Sequence, residues 1–193
     1  MVTMLSALPL HGGEYPYKDK SLWQLTKYKY TTLLRQYPLC WCPYRSYVLV
    51  DRYVIISNHD NLNWIVVSTD LEKAVRSDSE YNKRHAKRYK GTPRQKVRQI
   101  YQYCKRTRYV LHFKTARDVL EHRKGDCAGI SSAFYVLCKK SQIPCRYVIG
   151  WCDDELHAWN RVKLGRRWYW IDATLGCYLS RKQFEGRTVL EMW

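Results

Sequence analysis

The sequence predicts an α+β fold in which three helices are followed by strands. Three observations carry this. Helical apolar spacing runs through Val97, Ile100, Tyr101 and Cys104, and again through Ile130, Ala133, Phe134, Leu137 and Cys138. Three strand-like runs then follow closely, over 145–151, 156–164 and 167–173. Helices grouped ahead of strands, rather than alternating with them, point to a segregated α+β arrangement.

The first ninety residues read as an extension. Residues 14–45 are rich in Tyr, Lys and Trp and lack a clear period. A β-hairpin is expected near 47–68: a strand over Tyr47–Ser57, a turn at Asn58-His59-Asp60-Asn61, and a second strand over Leu62–Ser68. Thr69-Asp70-Leu71-Glu72 is placed to cap a short helix. The basic run Asn82–Lys90 reads as a solvated linker or helix face, which puts the boundary between a 1–90 extension and a 91–193 core at its end.

Thr92-Pro93-Arg94-Gln95 starts the first core helix: Thr at the cap, Pro at the first helical position, Gln three after the cap. Thr115–His122 reads as a second short helix with Ala116, Val119 and Leu120 inward. Asp126 caps the third, Lys139 and Lys140 suit its C-terminal end, and Ile143-Pro144 stops it.

The chain has 193 residues, room for one compact domain or one domain with a substantial extension, and 46% apolar residues, enough for a core. Seventeen Tyr and eight Trp suggest many half-buried rings whose polar ends need partners. No stretch reaches the roughly 18 apolar residues of a membrane span, and Met1–Leu10 lacks the basic start of a signal peptide. The net charge of +17 favours an anionic partner. Eight cysteines sit mostly on predicted core faces and strands, so reduced thiols and a cytoplasmic setting are expected. Cys40-Trp41-Cys42 is too tight for a zinc-ligand pair and no matching Cys/His pair follows, so no metal or cofactor is expected.

Gly125-Asp126-Cys127 places a cysteine at a helix start, where unpaired N–H groups and the helix dipole favour an anionic sulfur and can hold an oxyanion. Gly125 is read as leaving room for close approach to the sulfur. Downstream lie His157-Ala158-Trp159-Asn160 and Trp170-Ile171-Asp172-Ala173-Thr174. With the hairpin turn centred between Leu164 and Gly165, His157 and Asp172 are directly opposed and share a sheet face. Asp172 can then orient the imidazole, leaving its other nitrogen for the thiol.

These phrases, with Ala116-Arg117-Asp118-Val119-Leu120, Arg123-Lys124, Ile143-Pro144-Cys145 and Trp168-Tyr169 in order between about 93 and 176, resemble the transglutaminase-like superfamily of papain-like thiol enzymes. The resemblance implies a papain-like core with the cysteine helix packed on an antiparallel sheet. It implies Cys127 as nucleophile, His157 as general base and acid, and Asp172 as orienting carboxylate. In the animal enzymes an upstream tryptophan completes the oxyanion hole. Here no Trp lies between Trp64 and Cys127, leaving Tyr109 and His112 as donors, with Tyr109 preferred. Trp159 and Asn160 are expected to shape the site.

The expected activity is hydrolysis of a peptide or side-chain amide through a thioester. Two alternatives stand beside it: calcium-independent transfer of the acyl group to an amine, and a non-catalytic basic adaptor for nucleic acid or acidic protein. Asp153-Asp154-Glu155, just before His157, offers attraction for a basic substrate group.

Overall fold

A computed structural model of the chain describes residues 48–50, 53–55, 71–111, 113–179 and 184–192. The architecture is α+β, as the sequence predicts. Among the described residues, four helices, α1 (Leu71–His85), α2 (Pro93–Lys105), α3 (Ala116–His122) and α4 (Cys127–Lys140), precede a five-stranded sheet. The sheet is built from β5 (Cys145–Cys152), β6 (Glu155–Leu164), β7 (Arg167–Asp172), β8 (Cys177–Tyr178) and β9 (Thr188–Met192), in the order β8-β7-β6-β5-β9 with every pair antiparallel. Two smaller pairs complete it. β1 (Val48–Val50) joins β2 (Tyr53–Ile55), and β3 (Arg108–Tyr109) runs parallel to β4 (Lys124–Gly125).

The N-terminal hairpin differs from the expected one. Val48–Val50 pairs with Tyr53–Ile55, so the two described parts of the expected first strand pair with each other instead of forming one strand. The polar pair Asp51-Arg52 interrupts the apolar run at that point. The expected partner strand, 62–68, lies outside the described residues, as do Thr69 and Asp70.

α1 is fifteen residues long rather than short, and its C-terminal half packs on the core. Arg117 of α3 bonds Asp78 of α1 at 3.4 Å and its own Glu121 at 2.9 Å, and sits 4.8 Å over the Tyr81 ring. Burial pushes Asp78 up to about 6 against the opposing pull of Arg117. The 82–90 segment is the helix end and a packed return, not a free linker. Asn82, Ala86 and Tyr89 are buried there, and the Tyr89 N–H donates to Ser141 Oγ.

α2 starts as its sequence predicts. Thr92 Oγ1 accepts from the Gln95 N–H, and Gln95 Oε1 accepts from the Thr92 N–H. Its buried stripe is Val97, Ile100, Tyr101 and Cys104. It ends at Lys105. α3 carries a second capping box, Thr115 with Asp118, and buries Ala116 and Val119.

α4 is buried on all sides. Every residue from Ala128 to Cys138 is buried, against the single stripe its apolar spacing suggests. Helices α2 and α3 cover one side and the sheet the other, so no face meets water. Its serines are satisfied internally: Ser131 Oγ donates to the Ala158 carbonyl and Ser132 Oγ to that of Ala128. No helix among the described residues is long and apolar enough to cross a membrane.

Candidate active site

The site is assembled where the start of α4 meets the middle of the sheet. Asp126 caps α4 by accepting from the Gly129 N–H at 3.0 Å, and its own N–H donates to the Phe113 carbonyl. Cys127 is therefore the first helical residue, half-buried, on a fixed backbone. Gly125 has a different role from the one expected. A Cβ there would lie 2.6 Å from Val119 Cγ2 and 3.1 Å from Ile130 Cγ1, so the missing side chain serves internal packing rather than a substrate.

The short β3–β4 pair sets Tyr109 opposite Gly125, two residues before the cysteine. Burial raises the Tyr109 hydroxyl, as do the charges of Cys127, Asp126 and Glu155, while a hydrogen bond from the Cys127 backbone N–H opposes the rise. Tyr109 thus brings its hydroxyl to that N–H while its residue stays 53% exposed. His112 lies outside the described residues.

His157 projects from β6. Its Nε2 lies 2.8 Å from Asp172 Oδ2, and the Cys127 thiol is its second side-chain hydrogen-bond partner, which leaves Nδ1 for the sulfur. Burial acts to lower the imidazole pKa. Hydrogen bonds to Asp172 and Cys127, together with their charges, outweigh it and push His157 up to about 9.

The register that achieves this is two residues away from the directly opposed pair. Leu164 pairs with Arg167 and Asn160 with Ile171, so Gly165-Arg166 form the two-residue turn, with Gly165 at φ +61°. One further step along this ladder sets Asp172 against Trp159. The turn centre has moved by one whole residue, which shifts pairing by two and preserves the face; only an odd shift would have turned Asp172 away. His157 and Asp172 meet as diagonal neighbours on one sheet face.

Asp172 is wholly buried and accepts from four donors. Oδ1 takes the N–H groups of Thr174 and Leu175, each at 3.0 Å. Oδ2 takes His157 and Arg187 Nη1, each at 2.8 Å. Burial would raise this carboxyl, yet His157, the Leu175 N–H and Arg187 together hold it below its usual range.

Arg187 was not legible as a site residue. It lies just before β9, is 7% exposed at its side chain, and reaches Cys177 Sγ with its second nitrogen at 3.8 Å. Its guanidinium sits 5.3 Å over the Trp159 ring and 4.2 Å over Phe184. The β5–β9 pairing brings the neighbouring residues beside the sheet, and an isolated arginine fifteen residues downstream of Asp172 carries no local signal.

The two remaining predicted residues divide. Trp159 is fully buried beside the site, its ring stacked 6.0 Å from that of His157. Asn160 points away, donating to the Ser131 carbonyl at 3.1 Å and the Arg146 carbonyl at 3.4 Å, and so ties α4 to the sheet. Asp153 and Asp154 form the exposed β5–β6 turn at φ +50° and +63°.

Among solved structures, a provisionally named cysteine protease from Cytophaga hutchinsonii is 19% identical with a TM-score of 0.43, over 59% of this chain and 40% of that one. A protein described as a TGase is 20% identical with a TM-score of 0.39, over 60% of this chain and 34% of the other. The chain therefore spans two fifths or less of each. No curated protein matches it. The family description "Transglutaminase-like superfamily" matches residues 71–173, more than half of the chain and inclusive of Cys127, His157 and Asp172. The chain belongs to the transglutaminase-like superfamily.

Proposed function

We propose that this protein is a cysteine enzyme that hydrolyses an amide through a thioester, with Cys127, His157 and Asp172 as its triad. The observation that carries the reading is the imidazole held between Asp172 Oδ2 at 2.8 Å and the Cys127 thiol. The thiol gives its proton to His157 Nδ1, and the sulfur attacks the amide carbon. The Tyr109 hydroxyl, whose oxygen accepts from the Cys127 N–H, turns its own proton to the developing oxyanion. His157 returns the proton to the departing amine as the C–N bond breaks, leaving the thioester. Water, deprotonated by the same imidazole, then adds and releases a carboxylic acid and the free thiol. Asp172 stays ionised and holds the ring in its tautomer. Asp153, Asp154 and Glu155, whose last member bears on Tyr109, supply a negative rim suited to a basic substrate group.

Mass spectrometry of a peptide library, with and without an added amine, tests this. Cleavage or deamidation that disappears in Cys127→Ser and His157→Ala supports hydrolysis. Amine incorporation exceeding hydrolysis would assign acyl transfer instead. A wild-type chain that neither turns over peptides nor labels at Cys127 with a thiol probe would sink the enzymatic reading. Replacing all three acids by Ser should reduce preference for basic substrates; an unchanged preference removes that role.

A further inference from the structure

Between Glu80 and Asp118 the chain carries thirteen Lys and Arg residues and no acid, most of its net charge of +17. Part of this run surrounds a shallow, open depression of about 580 Å³, a volume within the range of small-ligand clefts, roughly 300–1,000 Å³. Arg98, Gln99, Gln102, Tyr103 and Arg106 line it along α2, with Tyr89 and Arg123 completing the wall. These α2 positions lie opposite the stripe formed by Val97, Ile100, Tyr101 and Cys104, which faces the core. The cavity is thus on the far side of α2 from α4 and its cysteine.

No carboxylate lines the cavity, and none of its three guanidiniums pairs with one among the described residues. Arg123 ends α3 with a left-handed backbone (φ +56°). Its guanidinium lies 3.8 Å over the Tyr103 ring, and Nη2 donates to the Tyr103 carbonyl at 2.9 Å. Its Nη1 is buried without a hydrogen-bond partner. Three cationic side chains line one concavity with no carboxylate among them, so an anion entering it meets only positive charge. Guanidiniums match phosphate oxygens with paired donors.

We propose that this cavity and the basic run around it form a groove for single-stranded nucleic acid. The charge extends beyond one phosphate. Lys87, Arg88, Lys90 and Arg94 flank one end of α2, and Lys105 and Arg108 the other. Acidic protein would need only that charge. The groove adds planar and amide groups of a different kind: an Arg–Tyr stack that a base can extend, and two glutamine amides that can donate to and accept from base edges. This site is independent of the triad, and its test uses no turnover.

The experiment is fluorescence anisotropy of a labelled oligothymidylate bound to the full chain across a salt series. Arg98→Ala/Arg106→Ala is compared with Arg166→Ala/Arg167→Ala, which removes equal charge from the exposed β6–β7 turn. The groove variant should weaken binding at least tenfold at low salt and flatten the log affinity–log salt slope by about 1.4, at about 0.7 per lost phosphate contact. The turn variant should change affinity less than twofold. Far-UV circular dichroism verifies that both remain folded. Equal weakening in the two variants, displacement of the oligonucleotide by polyglutamate at matched charge, or absence of binding by wild type each overturns the proposal.

Discussion

Arg187 and His157 share one oxygen of Asp172, and that sharing sets how strongly the carboxylate can hold an imidazolium. Both donors lie 2.8 Å from Oδ2. Replacing Arg187 with Met leaves a wholly buried carboxylate short of one donor and one countercharge. Losing one member of a buried pair costs about 3–5 kcal/mol, which thermal or urea unfolding will read. Without the competing cation, Asp172 acts on His157 alone, so the basic limb of a Cys127 alkylation profile should move to higher pH. Arg187→Lys keeps the charge but not the fork that also reaches Cys177, and should recover the profile better than the stability. On the proposed mechanism, Tyr109→Phe removes one oxyanion donor. Turnover should fall by about 10²–10³ with little change in KM, and an undiminished kcat would remove Tyr109 from that role.

At the scale of elements, the site depends on two short connections. β3 and β4 are two residues each, and their parallel pairing places Tyr109 beside the cysteine. Gly125 permits this because Val119 and Ile130 fill the space that a side chain would take. Gly125→Ala should destabilise the fold by about 1–3 kcal/mol through overpacking. It should also slow thiol labelling, because the strain falls on the residues carrying Cys127; thermal unfolding and labelling rates check both. Elements defined by local chemistry were legible: the Thr92–Gln95 capping box, the α2 stripe, the Asp126 cap and the three long strands. Elements defined by distant pairing were not. β8 has two residues and β9 five, too few to show a period of their own. The all-round burial of α4 was hidden because Gly129, Ser131 and Ser132 look neutral in sequence, although the sheet and helices enclose them. The hairpin register was misplaced because Gly165 can occupy either of two turn positions, and parity alone kept Asp172 on the correct face.

For the whole molecule, two site groups give the stability a pH dependence. His157 is raised from 6.5 to about 9 on folding, so the folded chain holds its proton where the unfolded chain loses it. Its contribution is complete below pH 6.5 and disappears as pH rises through about 9. Asp172 is lowered, so its contribution is present above the ordinary carboxylate range and lost as pH falls through its folded value. These two groups by themselves make the melting temperature fall at both acid and alkaline pH, while Asp78, raised to about 6, adds stability on the acid side that is lost as pH rises through about 6. In His157→Gln the alkaline decline should be reduced; an unchanged decline would assign it to other groups. The triad could be named from sequence because each member sits in a distinctive local phrase. The charge environment of Asp172 could not, because it depends on which strand borders β5.

The position of β9 has a consequence for the order of assembly. Cys127, His157 and Asp172 are all present once the chain has been made to residue 172, and β5, β6 and β7 can already pair. Arg187 comes later and reaches Asp172 only when β9 seats along β5. Until then the buried carboxylate has three of its four donors, and the thiol is presented by an unfinished support. A nascent chain would thus hold its reactive groups before it holds their final balance of charge.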